Sequence, residues 1–249
     1  MKYFFSLIGL ISLPTFAADL DAGDATGISF WLVTAAMLAA TVFFFAERDT
    51  VKGKWKTSLS VAGLVTGVAF WHYLYMRGVW VETETSPTVY RYIDWLITVP
   101  LQIIEFYLIL RVCTNVSSGV FWRLLGASLV MLIAGFMGET ATVAQQAGMY
   151  QMICFVVGMA GWLYIIYEVF SGEAGKLNAA SGNAAAQQAF GTIRLIVTVG
   201  WAIYPIGYYL GMGTTGDMAN ANLIYNLADF VNKIAFGLAI WAAAQSDND

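Results

Sequence analysis

Seven separate apolar stretches, each close to twenty residues long, dominate this chain: roughly 28–47, 57–77, 89–111, 122–138, 148–170, 188–210 and 221–244. A bilayer core about 30 Å thick is crossed by about 20 helical residues. Only helices or closed barrels satisfy every backbone hydrogen bond in that medium. The expected fold is therefore an all-α membrane protein, a bundle of seven transmembrane helices. Composition agrees, since only 11% of residues are charged, against about 25% in soluble domains. Most of the exterior must face something other than water, so the lipid bilayer is the first partner implied. The net charge of −4, with no large basic cluster, argues against a nucleic-acid partner. Two lone cysteines, Cys113 and Cys154, fall near opposite faces of this map and read as small apolar filler; no metal site is expected.

Residues 1–17 read as a secretory signal peptide: Lys2 gives the basic start, Tyr3 to Leu13 the apolar segment, and Thr15-Phe16-Ala17-Ala18 a small-residue cleavage site. Residues 18–249 then form one domain with its N-terminus outside the cytoplasm. Basic residues give the same orientation independently. Arg48, Lys52, Lys54 and Lys56 lie in the first connection, Arg111 and Arg123 in the third, and Lys176 in the fifth. The second offers only Arg77, against Glu82 and Glu84. Positive residues stay inside, so odd connections and the C-terminus are expected in the cytoplasm.

An ionisable group at mid-membrane costs about 2.5–3.5 kcal/mol on insertion scales, so each one needs a reason. The candidates are His72 in span 2, Arg91, Asp94 and Glu105 in span 3, and Asp229 and Lys233 in span 7. Glu139, Glu168 and Arg194 sit near span ends, where snorkelling explains them. Asp229 precedes Lys233 by four residues, on one helical face. Desolvation favours a neutral lysine amine, a nucleophile suited to Schiff-base formation with an aldehyde; a purely structural Asp–Lys pair is the other reading of these two residues.

Span 3 tips that balance. Asp94 and Glu105 are eleven residues apart, which returns them to within about 20° of the same face and separates them by roughly 16 Å along the axis. Two carboxyls on one face, one each side of the membrane centre, resemble two stations of a proton path. Spans 3 and 7 both enter from outside. Asp94 and Asp229 then lie outward of Lys233 as acceptor and counterion, Glu105 lies inward as donor, and the vector is outward. Arg91, one turn further out, can balance the two carboxylates. His72, at matching depth, can hydrogen-bond Asp94.

At these residues the chain resembles the microbial (type 1) rhodopsins, specifically the blue-absorbing proteorhodopsins. Arg91-Tyr92-Ile93-Asp94-Trp95, Trp201-Ala202-Ile203-Tyr204-Pro205 and Leu223 to Lys233 are similar to that family's motifs in helices 3, 6 and 7. The resemblance implies all-trans retinal on Lys233, Asp94 as proton acceptor, Glu105 as donor, Asp229 as counterion, and Asp94, Thr98 and Glu105 as the proton-pump triplet. It implies polyene-clamping rings at Trp95, Trp201, Tyr204, Pro205 and Tyr208, Tyr225 hydrogen-bonding near Asp229, and Met131, Gly135 and Trp162 at the ring end. Gln102 matches the spectral-tuning position, where glutamine goes with blue absorption. The family further implies a homo-oligomer, a pentamer or hexamer, with His72 and Trp31 at positions resembling protomer contacts, in a bacterial inner membrane. A light-driven outward proton pump is the expected function. A photosensory rhodopsin signalling through a partner, and a retinal-free transporter using the same charges, are the alternatives.

Overall fold

A computed structural model of the protein describes residues 20–141, 149–212 and 219–247; the expected signal peptide lies outside them. Among the described residues, seven helices are long and apolar enough to cross a membrane, as expected. They are α1 (Ala25–Glu47), α2 (Lys56–Thr83), α3 (Thr88–Cys113), α4 (Ser118–Glu139), α5 (Met149–Phe170) with its short continuation α6 (Glu173–Ala180), α7 (Ala184–Leu195) leading through a π-helical turn into α8 (Ile203–Gly211), and α9 (Ala219–Ser246). The chain is a multi-pass membrane protein. Successive helices up to α5 pack as neighbours, and α9 closes the bundle against α1, α2 and α7.

Unlike a water-soluble protein, the chain is apolar on its exterior as well as in its core, and it buries charge. Trp71, Trp122, Val156, Val199 and Ile206 project outward, whereas Arg91, Asp94, Glu105, Asn226, Asp229 and Lys233 are buried inside. Helix hydroxyls avoid isolation in the apolar medium by bonding back to their own helix, as Thr34 does to the Phe30 carbonyl and Thr66 to that of Ala62.

Several expected boundaries shift. The second span runs to Thr83 rather than 77, because Arg77 is not a loop residue: it lies inside α2, 5% exposed, with its guanidinium 4.9 Å from the Trp31 ring centroid. Arg123 likewise falls within α4, since that helix begins at Ser118. The sixth span starts at Ala184, where the Asn183 side chain accepts the Ala186 N–H as an N-cap. Much of the Ala- and Gly-rich stretch before it is α6, ended by Gly182 at φ 67°.

The irregular turn in the sixth span has a sequence cause. Pro205 has no N–H for the Trp201 carbonyl, which takes the Tyr204 N–H instead at 3.1 Å. That leaves the Gly200 carbonyl free, and Asn232 of α9 donates to it at 3.0 Å. One turn earlier the Trp201 N–H reaches back five residues to Ile196. The Val197 carbonyl is thereby released, and the Trp162 indole of α5 fills it at 2.9 Å. Gly200 is required here, because any side chain would collide with the Asn232 amide. Two cross-helix bonds thus fix the segment that carries Trp201 and Tyr204.

Candidate functional site

Asp94 and Lys233 project from α3 and α9 toward each other at the bundle centre. Lys233 Nζ donates to Asp94 Oδ2 in a short contact and to Asp229 Oδ2 at 3.0 Å. The amine and both carboxylates are withdrawn from solvent. The two acids are not equivalent. Asp229 also accepts the hydroxyls of Tyr204 (2.6 Å) and Tyr73 (2.8 Å) and the Trp95 indole N–H (3.3 Å). Asp94 has only the lysine, and its Oδ1 has no hydrogen-bond partner.

One neighbour of Asp94 departs from expectation. His72 does reach its depth despite the longer α2, but Nδ1 stops 3.7 Å from Asp94 Oδ1. That nitrogen lies 3.0 Å from the Val68 carbonyl; because a carbonyl can only accept, Nδ1 carries the proton and spends it there. Thr98 likewise gives its hydroxyl to the Asp94 backbone carbonyl at 3.0 Å, not to the carboxylate.

Arg91 makes no ion pair with either acid among the described residues. Its guanidinium is held by the Tyr73 hydroxyl (3.2 Å) and by the amide oxygens of Asn222 (3.0 Å) and Asn226 (2.9 Å). Tyr73 therefore mediates, accepting from Arg91 while donating to Asp229. The sequence reading missed Tyr73, Asn222, Asn226 and Asn232. A signal was present for two of them: Asn222, Asn226, Asp229 and Lys233 step by four, three and four residues along one face. The Tyr225 hydroxyl points to the carbonyl of Tyr204 at 3.5 Å, the residue whose own hydroxyl bonds Asp229.

At the opposite end of α3, Glu105 is fully buried and neither oxygen has a partner among the described residues. Ser58 of α2, the polar group that bears on it, is itself without a hydrogen bond. Two span-end acids, by contrast, do not snorkel. Glu168 is 3% exposed and accepts from Arg123 (3.1 Å) and from the Ala174 N–H (3.2 Å). Glu139 turns inward and accepts the Tyr92 hydroxyl at 3.0 Å. Arg194 stacks on Phe170 at 4.6 Å.

Lys233 opens into a cavity of about 750 Å³, its mouth included. Trp95, Gln102, Met131, Gly135, Trp162, Trp201, Tyr204, Pro205 and Tyr208, all expected at a ligand, line it together with Asp229 and Lys233; Tyr225 is the one expected residue outside the wall. Cys154 lines it too. Trp95 stands edge-on to Tyr92 and Tyr204, at 5.0 Å from each. Gln102 Nε2 is buried without a partner. One amine at the base of an apolar, ring-walled cavity, balanced by two carboxylates, fits a long apolar aldehyde bound covalently.

The sequence pattern of the Bacteriorhodopsin-like protein family matches residues 24–246. The chain is 58% identical to a green-light absorbing proteorhodopsin of Gamma-proteobacterium EBAC31A08, over 100% of this chain and 99% of that protein. It is 59% identical to a blue-light absorbing proteorhodopsin of Gamma-proteobacterium Hot 75m4, over 96% of this chain and 94% of that protein. Among solved structures, the blue light-absorbing proteorhodopsin from Med12 superposes with a TM-score of 0.76 at 61% identity, covering 90% of this chain and 100% of that one.

Proposed function

The chain belongs to the bacteriorhodopsin-like family, and from that premise we propose that it is a light-driven proton pump moving protons outward across a bacterial inner membrane. Retinal, all-trans and joined to Lys233 as a protonated Schiff base, would supply light absorption and change on illumination how firmly Lys233 Nζ holds its proton. The observation that carries the reading is the unequal treatment of the two acids at Lys233. Asp229 is saturated with donors and is best left as a permanent anion. Asp94 has a bare oxygen and a direct bond to Nζ, so it gains more by taking the proton from that atom. Glu105, isolated in apolar surroundings, is best kept neutral and ready to return a proton.

Direction follows from placement. Arg48, Lys52, Lys54, Lys56, Arg111, Arg123 and Lys176 gather at the Glu105 end of the bundle, whereas Arg91 and the acids Glu82 and Glu84 lie toward the other. The positive-inside rule makes the Glu105 end cytoplasmic. Gln102 in the cavity wall supports blue absorption by placing a polar amide beside the chromophore; near-equal identity to green and blue relatives leaves that residue as the basis for the colour.

Illumination of cells expressing the protein with added retinal is expected to acidify an unbuffered medium, and a protonophore to abolish the change. A stable external pH despite a visible absorption band would refute the pump.

A further inference from the structure

Glu105 can serve repeated cycles only if a proton reaches it from the basic end of the bundle, and its surroundings there are apolar. Among the described residues Ser58 is the polar group that bears on it. Ser58 follows Trp55 by three residues, one turn along the same face. Trp55 takes the N-cap position of α2 with no exposed surface, packed in the cluster that includes Leu59, Phe106 and Phe236. Its ring therefore lies between Ser58 and the rim.

One carboxylate holds that ring in place. Asp247, the residue after α9, accepts the Trp55 indole N–H on Oδ2 at 2.9 Å and the Asn183 amide on Oδ1 at 3.1 Å. Asn183 is itself the N-cap of α7, its side-chain oxygen taking the Ala186 N–H at 2.8 Å. Lys54 Nζ stands 3.7 Å from the same carboxylate and donates to the Val112 carbonyl of α3 at 3.3 Å, while Lys52 donates to the Asp247 backbone carbonyl. The ends of α2, α3, α7 and α9 thus meet around one part-exposed side chain. Two other polar clusters close this end. Glu47 accepts from Trp241 (2.9 Å) and Gln245 (3.2 Å), and Arg123 pairs with Glu168 and Glu173. Those clusters are built from α1, α4, α5, α6 and α9, and include neither Trp55 nor Ser58.

We propose that Trp55, latched by Asp247 to the Asn183 cap of α7, is the gate through which the proton that refills Glu105 enters; this rests on the outward-pump reading above. Once Glu105 has given its proton to Lys233 Nζ, its carboxylate is a charge in apolar surroundings, where hydration is strongly favoured. Parting the Trp55 indole from Asp247 breaks one hydrogen bond and unwinds no helix. Water then reaches Ser58 and Glu105, one proton from the inner medium joins the carboxylate, and the indole returns to Asp247. Trp55 and Asp247 are positioning residues that exchange no proton themselves. One proton enters per cycle and no electrons move.

The test is the exchange of the Glu105 carboxyl proton for deuterium in the dark, followed by infrared spectroscopy of the whole retinal-loaded protein after transfer to heavy water, with Glu105→Gln identifying the band. Asp247→Ala frees both Trp55 and Asn183 and should speed exchange by about tenfold. Trp55→Phe keeps a ring but loses the N–H, and should speed it by about threefold. Arg123→Gln breaks the ion pairs of the α4 side and should lower the thermal midpoint with exchange unchanged, which separates a local gate from general loosening. After a flash, Asp247→Ala and Trp55→Phe should also regain the Glu105 band sooner, with the visible step at Lys233 unaltered. Unchanged exchange in Asp247→Ala, or equal acceleration in Arg123→Gln, would overturn the gate while leaving the pump intact. A dark spectrum without any carboxyl band that Glu105→Gln removes would instead overturn Glu105 as the neutral donor, and the gate with it. Should Trp55→Phe not fold, Asp247→Ala decides alone, because its side chain lies at the rim outside the packed core.

Discussion

Of the four carboxylate oxygens that Asp94 and Asp229 present on the Arg91 side of Lys233, three have donors and one is open. On the other side Glu105 has none, and Ser58 beside it has none either. The outer half is a connected polar network running through Tyr73, Arg91, Asn222, Asn226 and Ser29. The inner half is packed apolar side chains, with Phe106 and Phe190 at 5.0 Å and Trp55, Leu59 and Phe236 around them. A connected network of largely satisfied groups with one open carboxylate oxygen can accept a proton with little rearrangement. A dry plug around an unpaired acid supplies one only after it admits water. On the proposed pump reading, the first transfer is built into the resting structure, and the second needs an opening.

The largest test of that contrast removes its centre. Lys233→Ala should abolish the visible band entirely on retinal addition, and a band that survives would end the assignment of the amine. Asp94→Asn should keep a band but eliminate light-driven acidification, because Asp229, already saturated, is no substitute acceptor. Persistent transport in Asp94→Asn would show that the two acids are interchangeable.

How much of this was legible in the sequence depends on the cost of each feature. Seven spans and the residues Asp94, Glu105, Asp229 and Lys233 could be read because charge in a membrane is expensive and therefore conspicuous. Tyr73 and Asn232 could not, because neutral polar groups cost less and their roles arise only from contacts across helices. Glu139 and Glu168 were misread for a related reason: closeness to a helix end says nothing about which way a side chain turns. The π-helical turn was half visible, since Pro205 announces a missing donor but not that Trp162 and Asn232 supply the replacements.

That turn gives a smaller prediction. Asn232→Ala leaves the Gly200 carbonyl without its donor and should cost about 1–3 kcal/mol. Trp162→Phe should do the same at Val197. Both are read as a lowered thermal midpoint, with a displaced visible band because Trp201 and Tyr204 ride on the segment. An unmoved midpoint and band in both variants would mean the two bonds do not hold the cavity wall.

The smallest effect concerns the rim over the Glu105 half. Asp247 accepts the Trp55 indole (2.9 Å) and the Asn183 amide (3.1 Å), with Lys54 at 3.7 Å. Partial burial opposes its ionisation, but these donors and the lysines win, holding its carboxyl below the usual range. A depressed acid stabilises the fold above its unfolded value and loses that contribution as pH falls through the folded one. Asp247→Ala should therefore cost about 1 kcal/mol near neutral pH, and less as the medium is acidified below about pH 4. A cost that does not change with acidification would show that charge plays no part in the rim.

The contrast between the halves is tested most directly by the dark recovery of Glu105→Gln after a flash, measured with increasing concentrations of a small membrane-permeant acid. With the proposed inner donor removed and the plug intact, recovery should slow by about a hundredfold or more and should quicken in proportion to the added acid, with outward pumping retained. Recovery at the unmodified rate, independent of added acid, would contradict the account, because protons would then reach Lys233 from the cytoplasm without passing Glu105.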